Sequence, residues 1–172
     1  MEVQMPRIGV IAVGGKGSRF EAKAVQKCLI PVDGKPMFWY AAEALRKNGV
    51  KCLVLLSGYL HNQVADYVTT TNLGFQTLAV VYGGIGGENA ALKALKGLVT
   101  DDFLYMAGDC LMHSACITDL IRDAERRHDA VAVVAASKYL HGAFDHARPV
   151  VEKATGNLVD VKQAIERETR RA

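Results

Sequence analysis

No apolar run in this sequence comes near the roughly 18 residues needed to cross a bilayer, so no membrane-spanning helix and no membrane partner are expected. The opening MEVQMPRIGV lacks a basic region followed by a long apolar segment, so no secretory leader is expected. Cysteine is sparse: Cys28, Cys52, Cys110 and Cys116 include no C-x-x-C pair, and closely spaced zinc ligands are missing as well. Three of the four lie in or beside apolar runs. Reduced, mostly buried thiols in a cytoplasmic protein are therefore expected. Clustered charge is missing too. The formal net charge of +3 is spread along 172 residues, which argues against a nucleic-acid binder. Only the last stretch, IERETRRA, is charge-dense, and its mixed signs read as a solvated helix end. The five histidines do not cluster; His141 and His146 flank the loop HGAFDHARP and read as loop polar groups. Ser114 has no Ser/His/Asp context, which sets a hydrolase aside. Repeats, low-complexity segments and internal linkers are absent, so the expectation is a single domain over 1–172.

Half of the residues are apolar, enough for a real core. RIGVIAV (7–13), VKCLVLL (50–56), FQTLAVVY (75–82), DFLYMAGD (102–109) and AVAVVAA (130–136) read as strands. Between them, helices are predicted over 37–47, from His61 through HNQVADYVTT, over 88–98 and over 114–128. In the last of these Ile117, Leu120, Ile121 and Ala124 share a face. RPVVEK and GNLVDVK read as a hairpin about Ala154-Thr155-Gly156. The strands are continuously apolar, as expected where both sheet faces are covered. The predicted fold class is α/β: a three-layer α/β/α sandwich, with a mostly parallel Rossmann-like sheet and a small C-terminal β-hairpin. Ligands in such folds sit beyond the carboxyl ends of the strands. The loop after the first strand, GGIGGEN after the third and Gly108-Asp109 at the end of the fourth all fall there.

The first of these loops is the most informative. IAVGGKGSRF runs from an apolar strand into glycines with a lysine, a serine and an arginine. Glycines let backbone N–H groups approach a ligand, and consecutive inward N–H groups make an anion nest. Lys16 and Arg19 add charge and Ser18 a hydroxyl, so a polyphosphate is the natural guest. The pattern is neither G-x-x-x-x-G-K-[ST] nor G-x-G-x-x-G.

With the stretch that follows, KCLIPVDGKPM (27–37), the sequence resembles the nucleotidyltransferases that activate sugar phosphates and related compounds. This is the nucleotide-sugar pyrophosphorylase superfamily, with its MobA-like and cytidylyltransferase branches. The family's G-G-x-G-[ST]-R-[LMF] reads here Gly14-Gly15-Lys16-Gly17-Ser18-Arg19-Phe20, and its following lysine is Lys27. Its L-[LI]-P-V-x-G-[KR]-P-[ML] reads Leu29 to Met37. GGENAALKAL (86–95) and YMAGD (105–109) stand where the family has its G-[TS]-A-x-A-L and Gly-Asp segments. The likeness covers about residues 7–136, leaving an acceptor-side hairpin and tail over about 137–172.

The resemblance implies a reaction: a nucleoside triphosphate is joined to a phosphorylated small-molecule acceptor and pyrophosphate is released. Two alternatives stay open beside that reading, a MobA-like molybdenum cofactor guanylyltransferase and a non-catalytic nucleotide-binding regulatory module. Val13 and the 14–19 loop would cradle the triphosphate. Arg19 would take the β and γ groups with its planar fork, and Lys27 the α-phosphate and acceptor phosphate; these two are the candidate catalytic residues. Gly87, Glu88, Asn89 and Gly108 would line the nucleotide, though capping a helix accounts equally well for Glu88 and Asn89. Asp109 would hold Mg²⁺, which favours one or two carboxylates plus phosphates; its alternative role is a helix N-cap or turn aspartate. A homo-oligomer is compatible with the family. This chain departs from the pattern in having Gln26, not proline, before the lysine, and Glu88 and Asn89 where the family has Thr or Ala. Asp160, a further acidic candidate, reads first as an exposed strand residue. Phe38, Trp39 and Tyr40 read as core or interface.

Overall fold

The computed structural model describes residues 8–17, 24–85, 87–127, 148–151 and 158–162, with backbone only for Glu88, Asn89 and the last two segments. It comprises two compact units, Met1–Val133 and Val134–Ala172. In the first, strands β1 (Ile8–Ala12), β4 (Cys52–Ser57), β5 (Thr77–Tyr82) and β6 (Phe103–Ala107) form a four-stranded sheet in the order β5-β4-β1-β6. All pairings are parallel; Ile8 stands opposite both Cys52 and Phe103, and Ala12 opposite Leu56 and Ala107. β1 is central, which is why Val10 and Ile11 on opposite faces are both fully buried.

Helices cover both faces, and consecutive strand residues part between them. On one face Ile11, Leu53, Leu55, Leu104 and Met106 pack with residues of α1 (Met37–Lys47), α2 (His61–Thr70) and α4 (Ser114–Glu125). Phe38, Leu45, Val64, Ile117 and Ile121 supply the helical side of that core. On the other face Val10, Val54 and Leu56 meet Leu92 of α3 (Glu88–Lys93) and Leu95 of the turn after it. This three-layer arrangement explains the continuous apolar strands. α1 and α2 have the predicted bounds.

Three expectations change. The helix expected over 88–98 stops at Lys93; beyond it Ala94 and Leu95 N–H groups reach back only three residues, to Ala91 and Leu92, as in a tightened turn. Ala124 is exposed, one turn past Ile121, the last fully buried position of α4. The thiols are not mostly buried: Cys28 is buried and Cys52 half-buried, but Cys110, in the turn after β6, and Cys116, on the polar side of α4, are exposed.

KCLIPVDGKPM folds as a one-turn 3-10 helix (Lys27–Leu29) and a two-residue hairpin, β2 (Pro31–Val32) with β3 (Lys35–Pro36). Asp33 and Gly34 lie at φ 47° and 75°, the left-handed pair that a two-residue hairpin loop demands. The Met37 N–H donates to the Ile30 carbonyl, which fixes the entry to α1. The second unit holds an antiparallel hairpin of β7 (Arg148–Val151) and β8 (Leu158–Lys162), with Val150 opposite Asp160. The strand expected at 130–136, the 154–156 turn, His141 and His146 lie outside the described residues. No described helix is long and apolar enough to cross a membrane.

Candidate functional site

At the end of β1 the Val13 N–H donates to Leu56 at 2.9 Å, so the chain leaves the sheet still tied to β4. The next residue enters a space with no room for a side chain. A Cβ at Gly14 would stand 2.7 Å from the Gly58 nitrogen, and the Gly14 carbonyl accepts from the Tyr59 N–H at 3.1 Å. The loops after β1 and β4 are thus in contact. Gly15 and Lys16 are exposed, and Gly17 lies against the aliphatic stem of Lys27. Ser18 and Arg19 lie outside the described residues.

The chain returns to this loop at Gln26, whose side chain is fully buried. Its amide nitrogen donates to the Val13 carbonyl and, at 3.3 Å, to the Gly15 carbonyl. Its oxygen accepts from the Cys28 N–H at 2.5 Å, and its backbone N–H donates to the Gln63 side chain at 2.8 Å. The flipped amide would turn its oxygen toward two carbonyls, so the network admits one orientation.

The end of β6 completes the site. The Gly108 N–H donates to the Ala12 carbonyl at 2.8 Å. A Cβ at Gly108 would meet that carbonyl at 2.9 Å and the Cys28 sulfur at 3.0 Å, so this approach requires glycine. Cys28 and Gly108 pack together, and their neighbours meet: Lys27 Nζ lies 2.5 Å from the Asp109 carboxylate, across 82 residues of sequence. The pair is partly open to solvent, at 30% and 42% side-chain exposure, where an incoming ligand can reach both. Burial, then the nearby Asp109 charge, pushes the Cys28 thiol up to about 12, with Lys27 acting the other way. The N-cap of α4 is His113, which accepts from the Ala115 N–H at 3.3 Å; the capping role considered for Asp109 falls to it. Gly87 is the N-cap of α3, which begins with Glu88 and Asn89.

On the far side of β1 from this ion pair, a cavity of about 450 Å³ opens at the ends of β4 and β5. Gly58, Leu60, His61, Asn62, Gln63 and Tyr82 line it. The Ser57 hydroxyl donates to the Val81 carbonyl at 3.0 Å, so it accepts from His61 Nδ1–H at 2.6 Å. This leaves Nε2 on the ring edge away from buried Ser57. The His61 ring meets Tyr82 edge-on at 5.5 Å.

The structure therefore brings together Val13 to Gly17, Lys27, Gly108 and Asp109. Sequence reasoning took Gln26 for a mere departure and passed over Gly58, His61, Gln63 and Tyr82. A polar residue wedged into the apolar surroundings of AVQKCLI, and a glycine directly after a buried strand, were the available signals. Among the described residues no group of three or more His, Cys, Asp or Glu could cage a metal. A lone carboxylate such as Asp109 would suit a hard cation only if a phosphate chain brought the other oxygen ligands.

The family model of the MobA-like NTP transferase domain matches residues 9–167. The D-glycero-alpha-D-manno-heptose 1-phosphate guanylyltransferase of Aneurinibacillus thermoaerophilus is 27% identical over 120 residues, covering 68% of this chain and 50% of that protein. The ribitol-5-phosphate cytidylyltransferase of Streptococcus agalactiae is 30% identical over 146 residues, covering 78% of this chain and 59% of that protein. The chain thus spans about half the length of the curated relatives it matches. Among solved structures, the inositol-1-phosphate CTP transferase from T. maritima shares the fold with a TM-score of 0.68 and 18% identity, covering 93% of this chain and 65% of that one.

Proposed function

This chain belongs to the MobA-like NTP transferase domain family, and from that premise we propose that it transfers a nucleotidyl group from a nucleoside triphosphate to a sugar phosphate or similar phosphorylated small molecule. An acceptor phosphate oxygen attacks the α-phosphorus, the bond from the α-phosphorus to the bridging oxygen breaks, and pyrophosphate leaves with that oxygen. The observation that carries this reading is the meeting of Lys27 and Asp109 at 2.5 Å beside the glycine loop.

In-line phosphoryl chemistry asks a protein mainly for position and charge. The Gly14–Gly17 backbone offers donors to the phosphate chain, and Arg19 adds the bidentate fork that the sequence supplies. Lys27 draws the α-phosphate and the acceptor phosphate, two anions that would otherwise repel, into reach of each other. Asp109 would hold Mg²⁺, which when bound offsets charge on the triphosphate and on the departing pyrophosphate. The His61–Tyr82 cavity, across β1 from the ion pair, would receive the base. Gly87, Glu88, Asn89 and Gly108 complete the nucleotide's surroundings in this reading. The two relatives divide between guanylyl and cytidylyl transfer, and both names carry a phosphorylated sugar or sugar alcohol. The sparse cysteines without a C-x-x-C pair are what support a reducing, cytoplasmic setting.

The test is a thermal-shift panel of ATP, CTP, GTP, UTP and dTTP, with and without Mg²⁺, on the wild type and Asp109→Ala. One nucleotide should raise the melting temperature in a Mg²⁺-dependent way, by the equivalent of about 2.7 kcal/mol at a hundredfold excess over Kd. The variant should lose most of that rise. Pyrophosphate release from that nucleotide with heptose 1-phosphate or ribitol 5-phosphate then reads turnover. No rise with any nucleotide sinks the proposal, and binding without pyrophosphate release for any phosphorylated acceptor leaves only the non-catalytic module.

A further inference from the structure

We propose that Gln26 is the positioning residue that builds the anion nest of the glycine loop and couples it to Lys27; the inference rests on the reading of that loop as a triphosphate site. The two N–H groups of one buried side-chain amide are spent on the Val13 and Gly15 carbonyls. In a trans peptide the C=O and the next residue's N–H point in opposite directions. Drawing the Val13 and Gly15 carbonyls inward onto Gln26 therefore turns the Gly14 and Lys16 N–H groups the other way, out of the core. Those two donors, with the Lys16 side chain exposed beside them, make a surface for phosphate oxygens. Nothing else described on the inner side of the loop holds both carbonyls at once.

The same side chain sets the lysine. Gln26 Oε1 accepts from Cys28 N–H and the Gln26 carbonyl accepts from Leu29 N–H at 2.9 Å, which closes the 3-10 turn carrying Lys27. Its backbone N–H is held by Gln63, whose own amide donates to the Ala24 carbonyl at 2.8 Å. Gln63 also lines the cavity at the ends of β4 and β5. Gln26 thus sits between three parts of the nucleotide site: the glycine loop, the lysine and the wall of the cavity. A proline at this position could make neither the side-chain bonds nor the backbone bond to Gln63, so this chain holds its loop by a different device from the proline-bearing pattern it resembles.

The experiment uses the full chain with Gln26→Met, which keeps the length without polar atoms, and Gln26→Glu, which keeps the acceptor but loses both donors. Asn48→Ala is the control. Asn48 is another buried amide, bonded to Ala44, Ser114 and Thr118 and away from the loop. Melting curves without ligand measure the structural cost of each change. Calorimetric titration then uses two probes with Mg²⁺: inorganic tripolyphosphate, which has a phosphate chain and no base, and the nucleotide that the wild type binds most tightly. Both Gln26 variants should bind both probes about tenfold more weakly or worse, by the same factor for each, as expected when buried carbonyls lose their donors and turn. Asn48→Ala should lose thermal stability and keep its affinity. The inference is overturned if the Gln26 variants bind tripolyphosphate within about twofold of wild type, or if Asn48→Ala loses affinity as much as they do. Should the wild type itself bind neither probe, the triphosphate reading fails and this inference falls with it.

Discussion

Cys28 and Cys110 both lie close to Asp109, yet their chemistry is opposite. Cys28 is buried under the approach of Gly108 and its proton is held up to about 12, chiefly by burial and then by the Asp109 charge. Cys110 is exposed in the turn after β6. A raised folded-state value means the thiol stays neutral in the native protein while the unfolded chain ionises. The Cys28 contribution is therefore complete below pH 9.0 and is lost as the pH climbs from there toward about 12. Over that window the stability of the wild type should fall by up to about 1.4 kcal/mol per pH unit more steeply than that of Cys28→Ala, read from urea melts at stepped pH. Thiol labelling gives the companion result at neutral pH: Cys110 and Cys116 react in the folded protein, and Cys28 reacts only on unfolding. Labelling of Cys28 in the native state would mean that the Gly108 contact opens. The thiol's place was not legible from the sequence. Apolar neighbours in the chain predict mostly buried thiols without saying which, and only the packing of two distant segments sets Cys28 apart from the exposed Cys110 and Cys116.

At the scale of elements, the short hairpin between the 3-10 turn and α1 joins the site to the core. Asp33 and Gly34 supply the two left-handed residues, and Pro36 leads straight into α1. The Tyr40 hydroxyl reaches back to the Val32 carbonyl at 2.6 Å, and the Lys35 ammonium lies 3.4 Å from the Trp39 ring centroid. Gly34→Ala places a Cβ at φ 75° with open space around it, so its cost is conformational and not steric. It should destabilise the fold by about 1 kcal/mol. Because Lys27 is held through Gln26 and Cys28, nucleotide affinity should stay within about twofold of wild type. A loss of affinity beyond that would show that the hairpin, and not Gln26, sets the lysine. The Asp33-Gly34 pair stands in the sequence, but no hairpin is predicted there, because two-residue strands carry too little periodicity to declare themselves. α1 and α2 were readable to their bounds, since eleven and ten residues with apolar positions at helical spacing leave little ambiguity. The helix after β5 was overextended because Ala and Leu continue at helical spacing through Leu98, while the backbone tightens after Lys93 and reaches a left-handed Gly97.

For the whole molecule, the strand order decides where function sits. With β1 in the middle, the loops after β4 and β6 reach its glycine loop from opposite sides, and this brings Lys27 and Asp109 together although 82 residues separate them. The motifs were legible because each is local; Gln26 was not, since its importance lies in contacts with residues before and after it that no spacing rule encodes. All of the described residues proposed for the nucleotide site belong to the first compact unit, whereas the β7–β8 hairpin belongs to the second. We expect the first unit to take the nucleotide, and the resemblance to the family implies that the hairpin of the second responds to the phosphorylated acceptor. Hydrogen exchange on the full chain reads this division directly. Mg²⁺ with the preferred nucleotide should slow exchange over 13–17, 26–29, 58–63 and 107–110, as contacts and rigidity raise the cost of local opening there. It should leave Arg148–Val151 and Leu158–Lys162 unchanged until a phosphorylated acceptor is added as well. Protection of the hairpin by nucleotide alone would assign it to the nucleotide site and overturn the division. Protection of the first set by the acceptor without nucleotide would place the acceptor phosphate, and not the triphosphate, in the glycine loop.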